Sequence, residues 1–507
     1  MSLILDQVLV TAAEMSAIET RLLARGMPVA ALMEKVAGRV AQRLQALYPR
    51  PCRVGIVAGA GHNGGDALVI GRELWAAGYS VEVYAPMGDM KDLTAAHARY
   101  LRSLGIPFVD QLSPQWQVIV DGLFGLGLSR ALSESLVAVI EQMNGLGIPI
   151  CSVDMPSGLN ADTGEGMGAC VRATHTFCLG LWKRAFAQER ALDWLGQTQR
   201  VDFDIPVEDV AAEVGQPVRH RWIVPDSAVW TLPRPVVTHK YQQGHVLLIA
   251  GSRTYPGAVI LAAWAARASG VGMLSIAVPE SLRLWVSGHI PDAVILGCPE
   301  TDTGAIAELP THWEWGRYQA VVYGCGVTRE TGDVLSALQS LTCPLLVDAD
   351  GLNQLAMGDG LAWLRSRSGA TIVTPHAGEF RRLFPEWVGA VDPALGAAQA
   401  SGSYVVLKSA RTVVAAPQGT VSILRESTPA LARAGSGDVL AGLMGGLLAQ
   451  PCAVGIPLEQ RVQAAVWWHA QAGRRAAAER TEAGVDAQTL TNYLIPTLQA
   501  HLQRVQS

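Results

Sequence analysis

Two glycine-rich stretches hold the residues best placed to do chemistry. GAGHNGGD (Gly59 to Asp66) follows the apolar run RVGIVA and precedes the helical pattern ALVIGRELWAAG. ARAGSGDVLAGLMGGLLA sets Gly435, Ser436 and Gly437 directly before an apolar helix, with Asp438 at its start. Glycines there let the backbone turn tightly and point several N–H groups one way. The helix N-terminus adds partial positive charge, so a phosphoryl group fits. A carboxylate beside an anion site is awkward for simple binding. It makes sense as a base that takes a proton from a hydroxyl attacking the phosphoryl group. The plainer role for Asp438 is a helix cap, but a cap does not need the Gly-Ser-Gly run.

The first loop fits G-x-G-x-x-G, and Glu82 follows near the distance of a ribose-binding acid. Glu82, however, lies inside the run SVEVYAP, where its side chain faces a sheet surface. A tight strand-to-helix turn would explain the glycines, and a helix cap would explain Asp66. Two further apolar runs end in similar groups: VDGLFGLGLSR with Asp121, and VDMPSGLNADTG with Asp154 and Ser157. Carboxylates after successive parallel strands converge at one edge of a sheet. Glycine-rich backbone beside them offers N–H groups to an anion, while Asn, Asp and Ser oxygens suit a hard cation.

The elements that must position these residues form two alternating series. RVGIVAG, SVEVYAP, WQVIVDGLFG, PICSVDMPSG and ATHTFCLG make the first. HVLLIAGS, MLSIAVP, AVVYGCG, PLLVDADGLN, ATIVTPHAGEF and YVVLKSA make the second. Apolar runs separated by helical segments predict parallel sheets covered on both faces, an α/β architecture. A Pro-rich stretch without clear period lies between the series. It places a domain boundary near residue 220, giving domains of 1–220 and 221–507. The halves share no motif, so a fusion is expected rather than a duplication.

Strand ends of the second series carry Gly324 to Thr328 (GCGVT), Asp348, Asp350 and Asn353, and His376 with Glu379. Lys408, Ser409, Ala410, Arg411 and Thr412 form a polar turn that could serve a nucleotide or be an ordinary hairpin. No Walker A sequence occurs. The chain of 507 residues is half apolar, 16% charged and formally −5. That excludes disorder and, with no long basic run, speaks against nucleic acid. The eight cysteines form no C-x-x-C pair, which predicts reduced thiols in a cytosolic protein without a zinc cluster. The start does not read as a signal peptide, and the most apolar window is too short to span a bilayer, so no membrane partner is expected.

RGMPVAALMEKVA, GAGHNGGDALVIGREL, VDGLFGLGLSR and VDMPSGLNADTG, in this order, resemble the motif series of the NAD(P)H-hydrate epimerases. The resemblance implies a Rossmann-like three-layer domain acting on NADH or NADPH hydrated at C6 of the nicotinamide ring. Asn63, Asp121 and Ser157 would hold potassium. His62, Asn63, Gly64, Gly65 and Asp66, with Gly125, Leu126, Gly127, Leu128, Ser129, Arg130, Ala131 and Asp154, would hold the hydrate, and Asp154 would do acid/base work. The family loop reads N-N-G-G-D-G, whereas this one has His62 and Ala67, and Lys35 replaces an Asn. His62 is either a neutral donor to the substrate or an exposed loop residue.

The second series resembles the ADP-dependent (S)-NAD(P)H-hydrate dehydratases, a ribokinase-like branch. That implies phosphorylation of the C6 hydroxyl by ADP, loss of phosphate, and release of AMP with NAD(P)H. Asp438 would be the base. Ala258, Gly326, His376 and Asp438 would contact the hydrate. Lys408 to Thr412, Thr428, Gly435, Ser436 and Gly437 would contact the nucleotide, with Mg2+ on its phosphates. Tyr241 and Thr328 stand where the family carries glycines. Vitamin-type kinases share G-x-G-D, so an alternative is a small-molecule kinase fused to a non-catalytic Rossmann-like binding domain. A homo-oligomer is expected.

Overall fold

The computed structural model describes residues 4–224, 236–310, 313–388, 392–451 and 456–506. Cys452 and part of the Pro-rich stretch lie outside them. The chain divides into two compact units, Met1–His220 and Arg221–Ser507.

The first unit contains β1 (Leu9–Val10), β2 (Arg53–Ala58), β3 (Ser80–Tyr84), β4 (Phe108–Val109), β5 (Val118–Gly122), β6 (Ile150–Val153), β7 (His175–Leu179), β8 (Trp182–Lys183) and β9 (Gln197–Val201). Seven of these form a parallel sheet in the order β4-β3-β2-β5-β6-β7-β9, and β1 pairs with β8 apart from it. Successive side chains of β2 and β5 serve opposite faces. Val54, Ile56, Val118 and Val120 join the core under the helices Val29–Leu47 and His62–Ala76. Val57 and Ile119 join the core under Glu134–Gly145. Burial on both faces explains why these strands read as apolar runs rather than as alternations. The chain runs outward from β2 through β3 to β4, then returns to β5 on the other flank. The crevice between β2 and β5 is therefore a topological switch point, where such sheets bind ligands.

The second unit adds β10 (His220–Trp222), β11 (His245–Ile249), β12 (Met273–Pro279), β13 (Val294–Cys298), β14 (Ala320–Tyr323), β15 (Leu345–Val347), β16 (Thr371–Val373), β17 (Tyr404–Leu407), β18 (Val413–Ala415) and β19 (Val421–Ile423). Their order is β10-β19-β18-β17-β16-β15-β14-β11-β12-β13. Pairing is parallel from β13 to β17 and antiparallel through β18 and β19. Here the switch point lies between β11 and β14. The helix Ser436–Ala449 crosses this sheet beside Pro256–Ala268. A Cβ on Gly442 would stand 2.0 Å from the Ala262 carbonyl oxygen, and one on Gly445 2.2 Å from Val322. The apolar glycine run therefore lets the helix lie against both neighbours. Among the described residues, no helix is long and apolar enough to cross a membrane.

Candidate active sites

In the first unit, β2 runs into Gly59, whose N–H donates to the Gly122 carbonyl at the end of β5 (3.1 Å). Gly61 then caps the helix His62–Ala76 without a side-chain contact. A Cβ on Gly64 would stand 1.9 Å from the Gly59 carbonyl oxygen, so the loop folds back on the first helical turn only with glycine there. Asp66 is not the cap of this helix. It lies in the second turn, and no hydrogen bond reaches its carboxyl among the described residues. Glu82 accepts from the Trp116 indole (2.7 Å), which makes it a structural residue of the sheet face.

Asp121 is fully buried. It accepts from the hydroxyl (2.6 Å) and N–H (2.9 Å) of Ser157, the Ser152 hydroxyl (2.8 Å) and the Leu123 N–H (3.3 Å). Burial still leaves its pKa above the ordinary value, against the pull of these donors. Asp154 has φ +66, a left-handed conformation uncommon outside glycine. Its carboxylate is fixed by the Leu126 N–H (3.0 Å), the Leu179 N–H (3.3 Å) and the Lys183 ammonium. Burial works against the Lys183 charge, but Asp154, Cys178 and Glu19 outweigh it and its pKa stands raised. Burial, then Asp154 and Glu19, push Asp66 well above the usual carboxylate range. A Cβ on Gly125 would come within 2.9 Å of Asp154 and 3.3 Å of Asn63, so these predicted residues do converge. In the remainder of that loop Leu128 is buried, while Gly127, Ser129, Arg130 and Ala131 are exposed. His62 is exposed, with its pKa lowered by burial of part of the ring and by Lys91. Lys35 turns to Asp204 (2.7 Å) and the Phe203 carbonyl (3.0 Å), beyond β9.

In the second unit, Gly435 takes φ +86 and leads into Ser436–Ala449 with no side-chain cap. Its Cβ would meet Leu261 and Ala487. The Ser436 carbonyl accepts from Nε2 of His469 (2.9 Å), a buried imidazole whose pKa burial lowers to about 4. Asp438 stands in the first turn, its pKa raised to about 7 by burial and by Asp348. Lys408 leaves the turn after β17 and donates to Asp348 (2.7 Å). A Cβ on Gly437 would be 3.4 Å from the Lys408 ammonium and 3.6 Å from Asp348, so this ion pair lies at the helix start, where the Lys408 charge also acts on Asp438. Cys325, fully buried, lies against Asp438 with its thiol pKa raised by burial and by that carboxylate.

Gly326, at φ +68, leaves space for Ala258; a Cβ would come within 2.8 Å of it. Thr328 adopts φ +70, a conformation glycine takes without strain and a β-branched residue does not. His376 caps Ala377–Leu383, its Nδ1 accepting from the Gly378 N–H (2.9 Å). In the 408–412 turn, the Arg411 N–H donates to Ser409 Oγ (3.0 Å) and the Thr412 hydroxyl to the Ser409 carbonyl (2.9 Å). The Arg411 Nε is buried without a partner. Thr428 accepts from the Ala430 N–H (3.3 Å), and Tyr241 is exposed beside Lys240. Asp350 accepts from the Asn353 amide (2.8 Å), whose oxygen accepts in turn from Arg382 (2.9 Å).

Sequence reasoning missed Lys183, Glu19, Cys325 and the pairing of Lys408 with Asp348. Lys183 sits in an apolar stretch, and its buried charge was the available signal, because a buried lysine requires a partner.

Each unit is thus an α/β domain on a wholly or mainly parallel sheet, with shifted carboxylates at its switch point, the layout of two small-molecule enzymes in one chain. Residues 29–185 match the family model described as YjeF-related protein N-terminus, and 246–496 the one described as NAD(P)H-hydrate dehydratase. The bifunctional NAD(P)H-hydrate repair enzyme Nnr of Synechocystis is 49% identical, over 96% of this chain and 94% of that protein. The protein of the same name from Thermosynechococcus vestitus is 47% identical, over 97% and 98%. A solved Bacillus subtilis ADP/ATP-dependent NAD(P)H-hydrate dehydratase, co-crystallised with ATP and Mg2+, is 27% identical. It covers 55% of this chain and 98% of its own, with a TM-score of 0.46. The chain belongs to the family of bifunctional NAD(P)H-hydrate repair enzymes.

Proposed function

We infer that the chain repairs hydrated NADH and NADPH: the first unit equilibrates the R and S epimers at C6, and the second dehydrates the S epimer using ADP. The observation that carries this is the pair of sites, one with a lysine-clamped Asp154 beside a glycine loop, the other with Asp438 at an uncapped, glycine-led helix start. In the second unit Asp438 takes the proton of the C6 hydroxyl as that oxygen attacks the terminal phosphoryl group of ADP. AMP leaves. The C6–O bond then breaks, a proton leaves C5, and the ring double bond returns with release of phosphate. Gly435, Ser436 and Gly437 hold the phosphates by backbone N–H groups. Arg411, whose Nε is buried without a partner, and the turn from Lys408 to Thr412, with Thr428, face the nucleotide. Ala258, Gly326 and His376 border the hydrate. Mg2+ bound with the nucleotide would neutralise phosphate charge.

In the first unit His62 to Asp66 and Gly125 to Ala131 hold the hydrate, and Asp154 handles protons. Asn63, Asp121 and Ser157 fit potassium. Asp121 is a buried carboxylate with no cationic side chain on it among the described residues, and the Asn63 amide nitrogen is buried without a partner. Reversing that amide offers an oxygen. Bound there, the cation would offset the Asp121 charge and orient the loop.

The test uses purified protein, mixed epimers, ADP and Mg2+, with NADH absorbance and phosphate both followed. Full recovery of NADH with free phosphate is expected, faster than spontaneous epimerisation allows. Recovery of only the S fraction at that speed would remove the epimerase, and phosphate retained on the product would make the second unit a kinase. Replacing potassium by tetramethylammonium is expected to slow epimerisation.

A further inference from the structure

Glu19 is the one carboxylate of the helix Ala12–Ala24 that takes no hydrogen bond among the described residues. Elsewhere on this helix Glu14 closes a capping box with Thr11, Arg21 pairs with Glu213, and Arg25 with Asp209. The helix is held to the first site at three points. β1 pairs with β8 so that Val10 stands opposite Lys183. The Ala12 N–H donates to Asp162 (2.7 Å), in the loop that follows Asp154 and Ser157. Met15 lies against Gly180, where a Cβ would approach it to 2.6 Å. Glu19 is one turn beyond Met15 and on the same face. There it meets Lys183 and Asp154 electrostatically, and it acts in turn on Asp66. Glu19, Asp66, Asp154 and Lys183 form one cluster, yet only Asp154 is hydrogen-bonded to the lysine.

Inverting C6 requires two proton-handling groups. The carbon bears a hydroxyl next to the ring nitrogen N1. When an acid protonates that hydroxyl, the C6–O bond breaks, the N1 lone pair forms an N1=C6 iminium, and water departs. Water then adds to the opposite face of C6, gives its proton to a base, and the electron pair returns to N1. One proton is supplied, one is taken, and no redox partner is needed. Asp154, clamped by Lys183, cannot serve both faces at once.

We propose that Glu19 is the second catalytic acid/base of the epimerisation site, working opposite Asp154 across C6 of the hydrate. The proposal rests on the epimerase reading of the first unit. Burial, set against Lys183 and reinforced by Asp154, raises the Glu19 pKa to about 7. Both its forms are then populated near neutrality, which suits a group that is acid in one direction and base in the other. The pair acts while it carries one proton, so the rate in either direction falls as pH rises through about 7 and that proton is lost.

The experiment supplies the R hydrate of NADH to the full chain without ADP and follows the S epimer by chromatography. Glu19→Gln is expected to slow interconversion by about 100-fold or more and to abolish the decline above neutrality. ADP-dependent dehydration of the pure S epimer should be unchanged. A Glu19→Gln rate within a few-fold of wild type, with the same pH limb, overturns the proposal. Should that variant fail to fold, Glu19→Asp decides: a displaced limb supports the role and an unmoved limb overturns it. If wild type itself does not exceed the spontaneous rate, the epimerase reading fails instead.

Discussion

Asp438→Asn is expected to lower ADP-dependent NADH formation by about 1,000-fold while leaving R/S interconversion intact. Asparagine keeps the shape of the side chain but cannot accept the hydroxyl proton. Asp438 does not cap its helix, because Gly435 occupies that position. Burial and Asp348 disfavour its charged form and outweigh the Cys325 hydrogen bond and the Lys408 charge, so losing the charge relieves a net strain. The melting temperature of the variant should therefore equal or exceed that of wild type, which separates loss of chemistry from loss of fold. The base must be ionised to work. With its pKa near 7, set by burial, Asp348, Cys325 and Lys408, the wild-type rate should fall as pH drops below about 7. A variant that restores NADH at the normal rate would sink the assignment.

Lys183→Met attacks the other unit through its fold. Lys183 has no solvent exposure, and Asp154 has very little. The pair is complete: the ammonium also donates to the Leu179 carbonyl and lies near the Cys178 sulfur (3.7 Å). Removing one member of such a pair leaves a buried charge uncompensated, at a cost of about 3–5 kcal/mol. For a unit of this size that is a fall of about 10 °C in melting temperature. Epimerisation should be lost as well, because Asp154 would lose the ammonium that fixes its carboxylate. The double variant Lys183→Met, Asp154→Leu should regain much of the stability but none of the activity. Calorimetry and the epimer assay check both halves. An unshifted transition in Lys183→Met would show that the pair does not support the fold.

The parts of both sites that could be read from sequence are contiguous. In GAGHNGGD and AGSGD, the glycines, the polar residues and the following helix all lie in one short window. Strands buried on both faces were equally legible as unbroken apolar runs. Edge strands were not: β9, read QTQRV, is polar along most of its length, and β4 has two residues. The electrostatic partners were hidden by distance in the chain. Lys183 meets Asp154 across 29 positions, and Lys408 meets Asp348 across 60. Glu19 sits among Glu14, Arg21 and Arg25, so its helix reads as an ordinary solvated face until packing singles it out. Glu82 shows the reverse case, where a motif suggested a ribose acid and a tryptophan just ahead of β5 had already claimed it.

The pairing of Val10 with Lys183 carries a practical consequence for dissecting this chain. The matched N-terminal family region begins at residue 29, a natural place to start an isolated first domain. A version cut there would keep every glycine of the substrate loop, along with Asp121, Asp154 and Ser157. It would also strip β1, the strand paired with β8, together with the capping box and Glu19, and so open the buried lysine to water. The segment ahead of the recognisable domain thus belongs to the packing around Lys183, and an inactive excised domain would testify to missing support rather than to a missing activity.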